Sequence, residues 1–92
     1  MNKKLGDIMV QRNILTVDTE IEAWHKVAEF GGGDFDKLDF FTINSINKID
    51  GETCFHTRSN IDGKWHDFTY SSIVTIDGMA PERIANAFKI KI

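Results

Sequence analysis

Ile49-Asp50-Gly51-Glu52-Thr53-Cys54-Phe55-His56-Thr57-Arg58-Ser59-Asn60-Ile61-Asp62-Gly63-Lys64-Trp65-His66-Asp67-Phe68-Thr69-Tyr70 decides the fold. Two Asp-Gly pairs sit in it, flanked by runs rich in Phe, Thr, Ile and Trp. Asp-Gly is the favoured centre of a two-residue type I′ turn, because both central positions need positive φ. The stretch therefore predicts an antiparallel meander over residues 40–49, 52–60 and 64–70, with residues 73–77 as a fourth strand. Ile-Asp-Gly recurs at 76–78, at a spacing too irregular for an internal repeat.

Turns of two residues fix a register. A tight turn at Asp62-Gly63 pairs Ile61 with Lys64, Arg58 with Asp67, Thr57 with Phe68 and Phe55 with Tyr70. One face then collects Phe55, Thr57, Phe68 and Tyr70. The opposite face collects Cys54, His56, Arg58, Trp65, Asp67 and Thr69, with Arg58 and Asp67 as a cross-strand ion pair. A slip of one residue would put Phe68 beside His56 and destroy this segregation. Across the first hairpin Ile46 faces Phe55, but Ile43 meets Arg58 unless a bulge near Asn44-Ser45 absorbs one residue. The pattern predicts that bulge.

Working outward, Thr19-x-x-Glu22 matches a capping box, and Ile21, Trp24, Val27 and Ala28 recur at helical spacing opposite Glu20, Glu22, Lys26 and Glu29. This predicts a helix from Thr19, with Trp24 in the core and Gly31-Gly32-Gly33 closing its C-terminus. Residues 5–12 read as a short helix burying Leu5, Ile8 and Met9, although strands at 7–10 and 14–17 fit the same pattern. Ala80-Pro81-Glu82-Arg83 opens a final helix, because proline suits the first helical position. Its buried stripe is Ile84, Ala87 and Phe88, and Lys89 and Lys91 suit its end.

These elements predict one α+β domain over residues 1–92: a small antiparallel meander sheet of three to four strands packed with two or three helices over its oily face. Phe68-Thr69-Tyr70-Ser71-Ser72-Ile73-Val74 resembles the closing segment of SH3-like barrels, and that resemblance, over fewer than ten residues, implies an alternative architecture, a small barrel with helical extensions. It carries no functional residue with it.

Ninety-two residues that are 41% hydrophobic and 27% charged exclude a disordered chain and a second core. The longest apolar run is too short for a membrane span or a secretory signal, and the lone Cys54 makes no internal disulfide. A cytoplasmic protein is expected. Abundant Ile, Lys and Asn with one proline fit the AT-rich coding of phages or low-GC bacteria. Charge is uneven: residues 18–39 hold seven acids against Lys26 and Lys37, within a chain of net charge −3. That balance disfavours nucleic acid as a partner.

Chemical motifs are sparse. Cys54 and His56 share one face while His66 lies on the other, so no zinc set converges. Cys54 and His56 are about 7 Å apart along a strand, at roughly 3.4 Å per residue, which supports no nucleophile–base pair. The glycine triplet runs into Asp34, Asp36 and Asp39, acids that would repel a phosphate. No catalytic residue, metal or cofactor is expected. What remains is the strand face of Trp65, Arg58, Asp67, His56 and Thr69, an aromatic beside an arginine, the types enriched at binding hot spots. The expectation is a non-enzymatic protein-interaction module, a regulator or inhibitor docking on a larger protein through this face and the acidic segment. The runners-up are a single-strand nucleic-acid binder that stacks bases on Trp65 and a small enzyme built on Cys54 and His56. A homo-oligomer is allowed.

Overall fold

The computed structural model describes residues 3–28 and 30–90. Two short helices and five strands make a mixed α+β domain: α1 (Lys3–Gln11), β1 (Glu20–Ala28), β2 (Asp34–Ile49), β3 (Glu52–Ser59), β4 (Trp65–Thr69), β5 (Ile73–Ile76) and α2 (Pro81–Ala87), with a 3₁₀ turn at Tyr70–Ser72. The sheet order is β4-β3-β2-β1-β5, antiparallel throughout. Five strands and two helices replace the expected three to four strands and two to three helices.

The difference lies in residues 19–28. The predicted helix is β1, paired along its length with β2 from Glu20 opposite Thr42 to Ala28 opposite Asp34. Its burial alternates, with Ile21 and Ala23 inside and Glu20, Trp24 and Lys26 outside. Both a helical and a strand period fit these residues, and pairing with β2 decides between them. Trp24 is therefore not core; it is half-exposed. Thr19 caps no helix, its hydroxyl oxygen accepting instead from the Thr16 N–H at 3.1 Å. Gly31 and Gly32, at φ 110° and 103°, turn the chain at the hairpin tip. Glu29 and Lys91 lie outside the described residues.

The first Asp-Gly turn forms as the sequence implies. Asp50 (φ 53°) and Gly51 (φ 80°) join β2 to β3 with Ile49 opposite Glu52. Ile46 faces Phe55, and a register shift between Ile43 and Ser45 supplies the bulge. The second turn is longer. Ser59 pairs with Lys64 through Ser59 N–H to Lys64 O at 2.9 Å, so residues 60–63 form the loop. Ser59 Oγ accepts from the N–H groups of Ile61 and Asp62, and Lys64 N–H donates to Asp62 Oδ1. These side-chain bonds stabilise the wider turn. The register is therefore Arg58 with Trp65, Thr57 with His66, His56 with Asp67 and Phe55 with Phe68. That differs from the predicted register by two residues, one full side-chain period, so every side chain keeps its predicted face.

The inner face is oily and covered. Leu5 and Met9 of α1, Leu15, Ile21, Phe41, Ile43, Phe55, Phe68, Tyr70, Ile73, Ile76 and Ile84 of α2 form one core. Helix α1 ends as a Schellman motif, with Asn13 at positive φ and Ile14 N–H donating to Met9 O at 2.8 Å. Helix α2 starts with Pro81 at its first turn and ends similarly, Ile90 N–H donating to Ala85 O. That C-terminal turn places Ile90 against the core and leaves Ala87 and Phe88 exposed, so the buried positions are Ile84 and Ala85. Among the described residues no helix is long and apolar enough to cross a membrane.

Candidate functional site

The outer face of β3 and β4 is not covered by either helix. Trp65 is 51% exposed there. Its indole lies flat against the His56 imidazole, ring centroids 4.7 Å apart and planes 6° apart. The Arg58 guanidinium sits 5.4 Å from the Trp65 ring centroid, within cation–π range. Arg58 Nε donates to Gly63 O at 2.9 Å, fixing the side chain against the loop.

The predicted Arg58–Asp67 ion pair does not form. The register that sets Arg58 opposite Trp65 sets Asp67 opposite His56, and His56 Nδ1 and Asp67 Oδ1 are 2.6 Å apart. Thr69 stands at the far end of the face, opposite Cys54, its hydroxyl 2.9 Å from that of Ser71. Trp65, Arg58, His56 and Asp67 are thus one contiguous cluster, with Thr69 beside it. The indole is braced by two neighbours, so little side-chain freedom remains to be lost on contact with a partner.

Cys54 does not engage His56. Its thiol donates to Glu52 O at 3.7 Å. Among the described residues no three His, Cys, Asp or Glu side chains converge to hold a metal.

Sequence reasoning missed a second cluster, on the inner face where the apolar core runs out. His25 Nε2 lies 2.6 Å from Asp39 Oδ2, both side chains largely buried, and Lys37 Nζ is 3.7 Å from the same oxygen. The His66 ring stands 5.1 Å from those of His25 and Phe41, edge to face. The signal was present as alternation: reading Ile21, Ala23 and His25 as one strand face puts His25 inside. A helical reading of the same residues hides it.

No protein-family model, no curated protein and no solved structure matches this chain significantly.

Proposed function

We propose that this chain is a non-enzymatic protein-interaction module, a small regulator or inhibitor that docks on a larger protein through the outer face of β3 and β4. One observation carries the reading: a half-exposed Trp65 braced by His56 and Arg58 on the outer face of β3 and β4. Tryptophan and arginine dominate interface hot spots, and a pre-positioned indole binds with less entropic cost than a mobile one. Trp65 is the apolar anchor, and Arg58, Asp67, His56 and Thr69 orient the partner. The mechanism is steric occlusion of the surface the partner would otherwise use.

The strand order is also compatible with the alternative architecture, a small SH3-like barrel with helical extensions, in a form whose end strands β4 and β5 are not paired with each other. Five strands form one antiparallel sheet, β2 carries a register shift between Ile43 and Ser45, and a 3₁₀ turn precedes β5, which pairs with β1. Such a fold says nothing by itself about activity. A cytoplasmic location fits the single unpaired cysteine. Single-stranded nucleic acid suits the face less well: His56 already covers one side of the indole, and the exposed Asp67 carboxylate would repel phosphates.

The test is retention of a partner from native lysate by the wild-type protein and by Trp65→Ala, whose fold is checked by circular dichroism. The reading expects retention by the wild type and loss in the variant. Equal retention by a folded Trp65→Ala protein overturns it, and affinity that collapses with salt would favour nucleic acid instead. Strand β4 is a sheet edge, so size-exclusion chromatography distinguishes a hetero-partner from self-pairing.

A further inference from the structure

We infer that the cleft over His25, Asp39 and His66 is a binding site for a small organic carboxylate, separate from the Trp65 face. The cleft has a volume of about 230 Å³ and lies between the β1–β2 hairpin and the loop joining β3 to β4. Trp65 and His66 are adjacent in β4 and point to opposite faces of the sheet, so the two sites do not share a surface.

Hydrogen-bond accounting sets the ligand's chemistry. His25 Nδ1 is buried without a partner, an environment that suits a lone pair better than a proton, so Nε2 carries the hydrogen that Asp39 accepts. Asp39 takes Lys37 as well. Asp62 accepts the Lys64 N–H, a bond that holds its carboxyl below the usual carboxylate range. The two carboxylates at this cleft are therefore each engaged. Its donors are less committed: among the described residues the Lys64 ammonium and the His66 ring act on Asp62 through space, without a salt bridge or a side-chain hydrogen bond. Lys37 is half-exposed at the rim with two further hydrogens to donate. Lys26 is spent on Asp36. Unspent donors facing engaged acceptors call for an acceptor-rich ligand, and an oxyanion supplies that.

The walls set the rest. Val27, Ala28, Ile61 and the lysine stems line the cleft with apolar surface. A bare phosphate would leave that surface wet, whereas a carboxylate on a compact apolar body covers it. The carboxylate meets Lys64, Lys37 and His66, and the body lies on Val27 and Ile61. The His66 ring N–H is the uncharged donor of this set. Around that imidazole stand His25, Asp39, Lys37 and Lys26 from β1 and β2, and Lys64 and Asp62 from the loop.

The test follows the three histidine ring resonances by NMR during titration with sodium benzoate, and in parallel with benzylammonium and with inorganic phosphate. Saturable movement of His66 and His25, with a Kd of about 1 mM or tighter, is expected for benzoate only. Lys64→Ala should weaken it several-fold, and His66→Phe, which keeps a ring in place and removes its donors, should weaken it as well. Trp65→Ala should leave benzoate binding unchanged, which keeps this result separate from the fate of the docking face. No movement with benzoate overturns the proposal. Equal movement with benzylammonium overturns the sign of the ligand's charge, and movement with phosphate alone overturns the apolar body.

Discussion

Gly6 of α1 lies so close to Tyr70 that a Cβ built on it would stand 2.7 Å from Tyr70 Cγ and 2.8 Å from Cδ1. The helix can approach the 3₁₀ turn this closely only because residue 6 has no side chain. Gly6→Ala tests the contact. Helix propensity alone would favour alanine by about 1 kcal/mol. Overpacking a buried contact against an aromatic ring costs typically 1–3 kcal/mol, about as much or more. The expected result is net destabilisation, read as a lower urea midpoint with an unchanged slope; a stabilised Gly6→Ala protein would mean that α1 stands farther off than the geometry says.

The same Tyr70 gives the fold an alkaline limit. Burial pushes its hydroxyl up to about 12 from an ordinary value of 10.0, and the Glu82 carboxylate adds to the shift. Its hydroxyl points to Met9 Sδ at 3.9 Å, inside the core. A phenol that is harder to ionise folded than unfolded contributes stability that is complete below pH 10 and lost as pH rises through about 12. Wild-type stability should therefore fall across that window. Tyr70→Phe keeps the ring and should lose this component of the alkaline decline, measured as the denaturation midpoint at successive pH values.

On the outer face the His56–Asp67 pair is a surface interaction, with side-chain exposures of 38% and 73%. Such pairs contribute about 0–1 kcal/mol, so Asp67→Asn should hardly alter the melting temperature. The stacked imidazole should nonetheless be visible optically, because it shields one face of the indole from water. In a Trp24→Phe background, His56→Ala should uncover that face, seen as a red-shifted Trp65 emission and easier quenching by acrylamide. Unchanged emission and quenching would show that the stack does not persist in solution.

How much of this was legible beforehand depended on how local and how strong each signal was. Asp50-Gly51 carries its own turn geometry, so the first hairpin and its bulge at Ile43–Ser45 could be read directly. Ser59 Oγ capping the N–H groups of Ile61 and Asp62 is just as local, but a serine favours a turn more weakly than Asp-Gly does, so the Asp62-Gly63 signal alone implies a register two residues off. The error was harmless to the site, because a shift of two preserves sides: Trp65, His56, Arg58 and Asp67 stayed together, and only the partner of Asp67 changed. Residues 19–28 failed for a different reason. Glu20, Glu22, Trp24 and Lys26 satisfy a helical wheel and an alternating strand alike, and the deciding partner, residues 34–42, lies across the hairpin. With β1 read as a helix, neither the exposed Trp24 nor the buried His25 was in view.

Two glycines separate backbone demand from side-chain contact. Gly51 has φ 80° and nothing within 4 Å of the point a Cβ would occupy, so Gly51→Ala is opposed by backbone strain alone, about 1–2 kcal/mol. Gly63, at φ 72°, adds a second effect: its Cβ would stand 3.3 Å from Arg58 Nε and Nη2, and Nε is the atom that ties Arg58 to the loop beside Trp65. Both alanine variants should lower stability by similar amounts. Only Gly63→Ala should displace Arg58, seen as a change in Trp65 fluorescence, because only there does the new methyl reach the outer face of β3 and β4. Gly51→Asn should recover part of the loss, since asparagine tolerates positive φ. If Gly51→Ala perturbs Trp65 as strongly as Gly63→Ala does, the outer face is coupled to the β2–β3 turn and is not the locally braced platform described above.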